Sequence, residues 1–309
     1  MRLRELCQEG RRRLEACGIE EAELDSRLLL CGALHMDTGA YLAHMEDDAL
    51  PEVTALYERY LSERERRRPL QYILGYTEFM GLRFRVDERV LIPRQDTELL
   101  CELVLSEHKD RDCSLLDLCT GSGAIAVSLA LLGGYSRVTA TDISEPALEL
   151  ARENLRLDLE ERDLKAASRT GADSVSATAC IRQNISFVCG DLFGPVREAM
   201  RAQGIEAYDI IVSNPPYISE QELEELEPEV RLFEPRNALW GSEDGLIFYR
   251  RIASEAGSYM RAGGRLYLEI GFDQGREVSE LLRKHGFINV SVHRDYSGHD
   301  RVVSAEAGL

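Results

Sequence analysis

The segment LLDLCTGSGAIAVSLA, residues 115–130, constrains the fold more than any other stretch. Its apolar start reads as a buried strand that ends in a glycine-containing turn and passes straight into a helix. Such a helix is a crossover connection, and crossover helices cover the faces of a parallel sheet. The alternation continues down the chain. Strands are predicted at 114–118, 137–141, 185–189, 209–212, 265–270, 287–293 and 301–304, with helices near 123–132, 145–157, 243–261 and 274–285. Ser144 is placed to cap the second of these helices, with Glu145 and Pro146 in its first turn. The fold class is α/β, a Rossmann-like domain of seven strands over residues 101–309.

The rest of the chain differs in character. Residues 1–70 read as a small helical domain: Leu3, Leu6 and Leu14, then Leu24, Leu28 and Cys31, recur at helical spacing, and Pro51 opens a third stretch with Tyr57 and Leu61 on one face. The run Arg64 to Arg68 is interrupted by Glu65 and reads as a solvated helix end. Residues 71–100, rich in Gly, Pro and aromatics, read as a linker with a hairpin. The small polar stretch 166–180 reads as a surface loop or disordered insertion.

Composition excludes several functions. With 55 acids against 37 bases and a formal charge of −18, the chain has no global attraction to phosphate backbones or anionic membranes. No apolar run is long enough to span a membrane, and the charged start MRLRELCQEG does not resemble a signal peptide, so a cytoplasmic protein is expected. The eight cysteines never form C-x-x-C and read as buried thiols in a reducing compartment. The six histidines show no metal-ligand spacing, so no metal is predicted, and there is no phosphate loop of the ATPase type.

The chemistry is carried by four strand ends. Gly121 and Gly123 allow close backbone approach to a ligand, and free amides at the helix start face its polar end. Asp142 lies about 20 residues further on, where a carboxylate can accept hydrogen bonds from both ribose hydroxyls. Asp191 ends the next strand, in reach of an exocyclic adenine amine. Together these imply a nucleoside ligand. The fourth element, Asn214-Pro215-Pro216-Tyr217, follows the strand DIIVS. Its prolines remove two backbone donors, so the turn presents acceptors, the Asn214 side-chain oxygen and the Pro215 carbonyl. Such a pair suits a planar NH2 group: it holds both hydrogens, aims the nitrogen at an electrophilic methyl, and lets Tyr217 offer a face to lie against.

NPPY after the fourth strand, with D-x-C-T-G-S-G after the first, resembles class I S-adenosylmethionine-dependent methyltransferases that modify planar amide or amine nitrogens. The segments QYILGYTEFMGLRFRV, LIPRQDTELL, EVRLFEPRNALWGSEDGLIFYRRI, LEIGFDQG and RDYSGHDRVV narrow the likeness to the HemK-type peptide chain release factor glutamine methyltransferases, from about residue 10 to 305. That resemblance implies methylation of the glutamine amide nitrogen in the Gly-Gly-Gln motif of class 1 release factors, with S-adenosyl-L-methionine as cofactor. It implies that Cys119, Thr120, Gly121, Ser122 and Gly123 cradle the methionine part and Asp142 holds the ribose. Asp191 and the Leu192 backbone would take the adenine; Asn214, Pro215, Pro216 and Tyr217 would hold the glutamine amide, with Asn214 also beside the cofactor. The helical domain and linker would grip the release factor, and Arg94 and Thr97 are assigned to the site wall.

Three positions depart from the family pattern. Cys119 stands where many relatives carry Gly and is expected to be tolerated provided the local backbone avoids positive φ. Gln95 stands where Pro is common. The spacing from Asp142 to Asp191 is long, and the 166–180 loop accounts for the excess.

The rival reading is an adenine-amine methyltransferase acting on DNA or RNA, because the same turn suits an adenine amine. Nine acids against two arginines between Ile218 and Gly245 argue against phosphates there, unless that run is a solvated face with no selective role. Direct nucleic-acid binding is therefore not expected. A nicotinamide-dependent dehydrogenase would use the glycine turn and Asp142 but has no need of Asn-Pro-Pro-Tyr.

Overall fold

The structure, a computed structural model, describes residues 1–110, 112–135, 137–167 and 185–308. They form two compact units: Met1–Tyr76 with Glu227–Phe233, and Thr77–Leu226 with Glu234–Leu309.

The first unit is helical. It contains α1 (Leu3–Ala16), α2 (Ala22–Leu34), α3 (Thr38–His44), α4 (Pro51–Glu65) and α5 (Leu70–Leu74) around a core of Leu6, Leu14, Leu29, Leu30, Tyr57 and Leu61. Glycine decides how closely α1 and α4 approach: a Cβ on Gly10 would lie 1.9 Å from the Tyr57 hydroxyl oxygen. Arg64 is not a solvated helix end. It is buried on α4, donates to Asp25 at 2.6 Å and to Glu229 at 2.8 Å, and so ties the 227–233 segment into this unit. A buried guanidinium is stable only when paired in this way.

The second unit opens with a hairpin, β1 (Tyr76–Phe79) and β2 (Leu82–Arg85), then α6 (Glu98–Glu107), β3 (Ser114–Leu118) and α7 (Ala124–Ser128). It continues with β4 (Arg137–Asp142), α8 (Glu145–Ala167), β5 (Ile185–Cys189), α9 (Val196–Gln203) and β6 (Tyr208–Ser213). After short helical segments at 220–225 and 236–239, separated in the chain by the 228–233 helix of the first unit, come α10 (Ile247–Glu255), β7 (Met260–Glu269), α11 (Gly275–Lys284), β8 (Phe287–Arg294) and β9 (Asp300–Ala307). The sheet order is β5-β4-β3-β6-β7-β9-β8, with only β9 antiparallel to its neighbours. The predicted seven strands are all present. The helix expected over 243–261 is shorter, Ile247–Glu255, because 243–246 form the loop before it, Ala256–Ser258 tighten into a 3₁₀ turn and Met260 begins β7, and the three short helical segments had no clear periodicity to announce them.

The strand order reverses at β3, which pairs with β4 on one side and β6 on the other. At such a reversal the connections leave in opposite directions and open a crevice outside the carboxyl ends of the strands. Two apolar clusters, one holding Leu115, Val127 and Val138 and the other Leu116, Ile211 and Leu266, cover the two faces of the sheet and fix those ends.

Among the described cysteines, all free, Cys31, Cys101 and Cys113 are buried as expected, whereas Cys17 and Cys189 are exposed. The expected 166–180 loop lies outside the described residues from 168 onward; residues 166 and 167 end α8.

Candidate active site

The first wall of the site is the turn after β3. The Gly123 N–H donates to the Thr120 carbonyl at 2.9 Å, and the Thr120 hydroxyl donates at 2.6 Å to Asp117, which is buried on β3. Burial pushes the Asp117 carboxyl up to about 7, against the Thr120 bond that favours its charge. Gly123 has φ 80°, and a Cβ there would come within 2.9 Å of Ala151 Cβ on α8, so only glycine allows the close packing of α8. The Asn154 amide on α8 donates to the Ser122 carbonyl at 2.9 Å and to the Arg85 carbonyl at 3.2 Å, while its oxygen accepts from the Arg85 N–H at 2.7 Å. One fully buried amide thus pins the turn to the β1–β2 hairpin.

Cys119 does not meet the condition set for it: its φ is 60°. A side chain in the left-handed region costs roughly 1–2 kcal/mol. The turn adopts it because the chain must leave β3 sharply enough to aim the Gly121 amide at Asp142. Leu192, at φ 47°, is a second non-glycine residue in that region beside the same crevice. Backbone strain of this kind is held in place by its surroundings and gathers at ligand sites.

Asp142 ends β4. One of its oxygens accepts from the Gly121 N–H at 2.8 Å and the other from the Ser144 N–H at 2.9 Å. Burial raises its pKa against these bonds. Each carboxylate oxygen offers about two acceptor sites, so both remain able to accept from a diol. Ser144 caps α8, accepting from the Ala147 N–H at 3.3 Å.

The second wall is the turn after β6. The Asn214 Nδ2 donates to the Thr97 hydroxyl oxygen at 3.3 Å, which leaves Oδ1 free of that contact. Behind both lies Glu269 at the end of β7, 1% exposed and pushed by burial up to about 7. The loop 241–245 grips the turn from outside: a Cβ on Gly241 would meet the Pro216 carbonyl at 2.7 Å, and one on Gly245 the Tyr217 carbonyl at 2.3 Å. The Gln274 amide donates to that Tyr217 carbonyl at 3.0 Å.

Between the walls lies a cavity of about 300 Å³. Of the predicted site residues, Cys119, Asp142, Asp191, Leu192, Asn214 and Pro216 line it. Thr120, Gly121, Ser122 and Gly123 form its supporting turn without lining it, and Pro215 and Tyr217 also lie off its surface, Tyr217 packed against the apolar cluster under β6 and β7. Arg94 and Thr97 are not on the wall. Arg94 pairs with the buried Glu234, whose other oxygen accepts from the Ile92 N–H at 3.2 Å; Thr97 is buried behind Asn214. Sequence reasoning missed Arg251, which pairs with Asp191 at 2.8 Å on the rim, and the apolar wall of Ala147, Phe248 and Trp240. These residues are far apart in sequence, and nothing local marks them.

The acidic run between Ile218 and Gly245 is largely used within the fold. Glu220 pairs with Arg236, Glu229 with Arg64, Glu234 with Arg94 and Asp244 with Arg250, while Glu222 closes a helix cap with Ser219. Among the described residues no group of His, Cys, Asp or Glu is arranged to hold a metal ion. No described helix is long and apolar enough to cross a membrane.

Residues 5–75 match the PrmC N-terminal domain and residues 115–204 a methyltransferase domain. A release factor glutamine methyltransferase of Moorella thermoacetica is 40% identical over 97% of this chain and 97% of its own. One from Cereibacter sphaeroides is 40% identical over 95% of this chain and 94% of its own. The chain belongs to the release factor glutamine methyltransferase family. Membership of that family extends to relatives of different length: one from Fusobacterium nucleatum is 36% identical over 96% of this chain but 76% of its own. A solved release factor-specific protein-(glutamine-N5) methyltransferase from Alicyclobacillus acidocaldarius, 26% identical, covers 73% of this chain at a TM-score of 0.37.

Proposed function

We propose that this protein methylates the side-chain amide nitrogen of the glutamine in the Gly-Gly-Gln motif of class 1 peptide chain release factors, with S-adenosyl-L-methionine as methyl donor. The observation that carries the reading is the placement of Asn214 on the same cavity as Asp142 and Leu192, with its Nδ2 engaged by Thr97. With Nδ2 engaged there, Oδ1 is left to act as an amide acceptor beside the crevice assigned to the nucleoside. Family membership supplies the substrate class.

The cavity fits the donor. Asp142 keeps acceptor capacity for the ribose hydroxyls, Leu192 and Phe248 offer apolar faces for adenine, and the open space beside Gly121 leaves room for the methionine part above the 119–123 turn. Bound there, S-adenosyl-L-methionine supplies an electrophilic methyl group and leaves as a neutral thioether. The Leu192 N–H and Asp191, the latter paired with Arg251 on the rim, would take the adenine edge. The Asn214 Oδ1, on the cavity wall, accepts a hydrogen of the glutamine NH2, while Pro215, which lies off that wall, serves with Pro216 and Tyr217 to stiffen the turn. A conjugated amide nitrogen is a poor nucleophile. Acceptors that favour its pyramidal form stabilise the positive charge that develops in the transition state, so they act on rate more than on binding. The amide proton, made acidic by methylation, leaves to water. The helical residues 1–70 and the linker 71–100 are assigned to recognition of the release factor, and residues 101–309 to catalysis, in the cytoplasm where release factors act.

Labelled S-adenosyl-L-methionine, offered with a class 1 release factor, its Gln→Ala variant in the Gly-Gly-Gln motif and duplex DNA, tests the reading. Label on the wild-type factor alone is expected. Label on DNA alone would move the function to adenine methylation.

A further inference from the structure

Asn214 needs more than position, because its two amide orientations do opposite things: one presents an acceptor to the substrate nitrogen, the other a second NH2 group. The two are nearly equal in shape, and only hydrogen-bond partners choose between them. The partners here come from two distant elements. The Thr97 hydroxyl oxygen, just ahead of α6, accepts from Nδ2 at 3.3 Å. The Glu269 carboxyl, ending β7 and fully enclosed, faces both the Thr97 hydroxyl and the Asn214 amide, each of which favours its charged form. Its Oε2 has no hydrogen-bond partner among the described residues.

We propose that Glu269 and Thr97 are positioning residues that lock the Asn214 amide with Nδ2 inward and Oδ1 toward the acceptor nitrogen of the substrate. The logic is the direction of donation. An ionised carboxylate only accepts, so it takes the Thr97 proton; the Thr97 oxygen then has only lone pairs to offer Asn214 and must take Nδ2. A protonated Glu269 can instead donate to Thr97, which frees the hydroxyl to donate to Oδ1 and turn the amide the wrong way. The other groups facing Glu269 are Arg301 on β9, which favours its charge, Asp96, which opposes it, and Cys101, Tyr217 and Tyr249, whose ionisation burial disfavours. The Glu269 carboxyl, held near 7, therefore switches within the physiological range.

The inference rests on the amide-methylation reading, so its test has two arms. In the first, the side-chain amide resonance of Asn214 is followed by NMR in the full chain from pH 5.5 to 8.5. It should titrate near 7 in the wild type and stay flat in Glu269→Gln. In the second, transfer to a release factor is measured. Glu269→Gln, which mimics the protonated acid, should lower kcat by about 10²-fold at pH 8, the scale of a misplaced reacting group, leave cofactor affinity unchanged, and abolish the rise of kcat through neutral pH. Thr97→Val should lower kcat similarly, and Thr97→Ser should restore most of it. An Asn214 resonance that does not titrate, or a Glu269→Gln enzyme with wild-type kcat and pH profile, overturns the proposal. A wild type that methylates no release factor would overturn the substrate reading instead, and the NMR arm would still decide the positioning role.

Discussion

After β3 the chain turns through Cys119, Gly121 and Gly123, all at positive φ, whereas after β6 it turns through two prolines, whose rings hold φ near −65°. The first turn spends its backbone donors inside the fold, Gly121 on Asp142 and Gly123 on Thr120, and stores strain to aim them. The second removes donors and stores its specificity in one side chain, Asn214. Beneath each lies a buried carboxyl reached through a threonine hydroxyl: Asp117 through Thr120 under the first turn, Glu269 through Thr97 under the second. On the function proposed above, the contrast would separate two tasks, holding a cofactor by backbone shape and holding an acceptor nitrogen by side-chain geometry.

The contrast can be broken by substitution. Asn214→Ala should lower transfer by about 10²–10³-fold, the scale of losing one preorganised transition-state hydrogen bond, while cofactor affinity measured by calorimetry stays within about twofold. Equal loss of both would mean that the second turn also holds the cofactor. Asp142→Ala should do the reverse, weakening cofactor binding by about 1–3 kcal/mol, as expected where buried partners are left unsatisfied, with turnover at saturating cofactor largely kept. Unchanged affinity would remove the ribose assignment.

How much of this could be read in the sequence follows the same division. Each turn is a short contiguous motif at a strand end, and both strands were placed to within a residue or two, because apolar runs bounded by Gly or Pro are local signals. The supports were not legible. Glu269 sits at the end of an apolar strand, 55 positions from Asn214, and Thr97 is 117 positions away on the other side; only the fold brings them together. The helix ends at 64–68 misled for a related reason. In sequence Arg64 looks no different from Arg66, which is exposed, until Asp25 and Glu229 arrive from elsewhere in the chain. The positive φ of Cys119 was hidden too, since a cysteine gives no local signal of a left-handed backbone.

That strain gives a smaller, sharper test. Cys119→Gly removes a left-handed penalty of roughly 1–2 kcal/mol but adds roughly 0.5–1 kcal/mol of backbone entropy to the unfolded chain, so a net gain of about 0–1.5 kcal/mol in denaturant unfolding is expected. Cys119→Val should lose stability, because a β-branched side chain is least compatible with positive φ. A stabilising valine would show that the turn relaxes.

The two buried carboxyls give the finest comparison. Both are held near 7 in the folded chain by burial, against roughly 4 in an unfolded one. Between those values the folded state binds more protons than the unfolded state, so each carboxyl contributes stability that is complete below about pH 4 and is lost as pH rises through about 7. The histidines His108 and His293, whose pKa values burial lowers, act in the opposite sense, so the readout is the difference between wild type and variant across pH 4 to 8. Asp117→Asn and Glu269→Gln should each flatten the fall of stability with pH. Only Glu269→Gln should also flatten the pH profile of kcat, because only its carboxyl reaches the acceptor nitrogen through Thr97 and Asn214. If Asp117→Asn changed that kinetic profile as well, the two turns would be one coupled device rather than two.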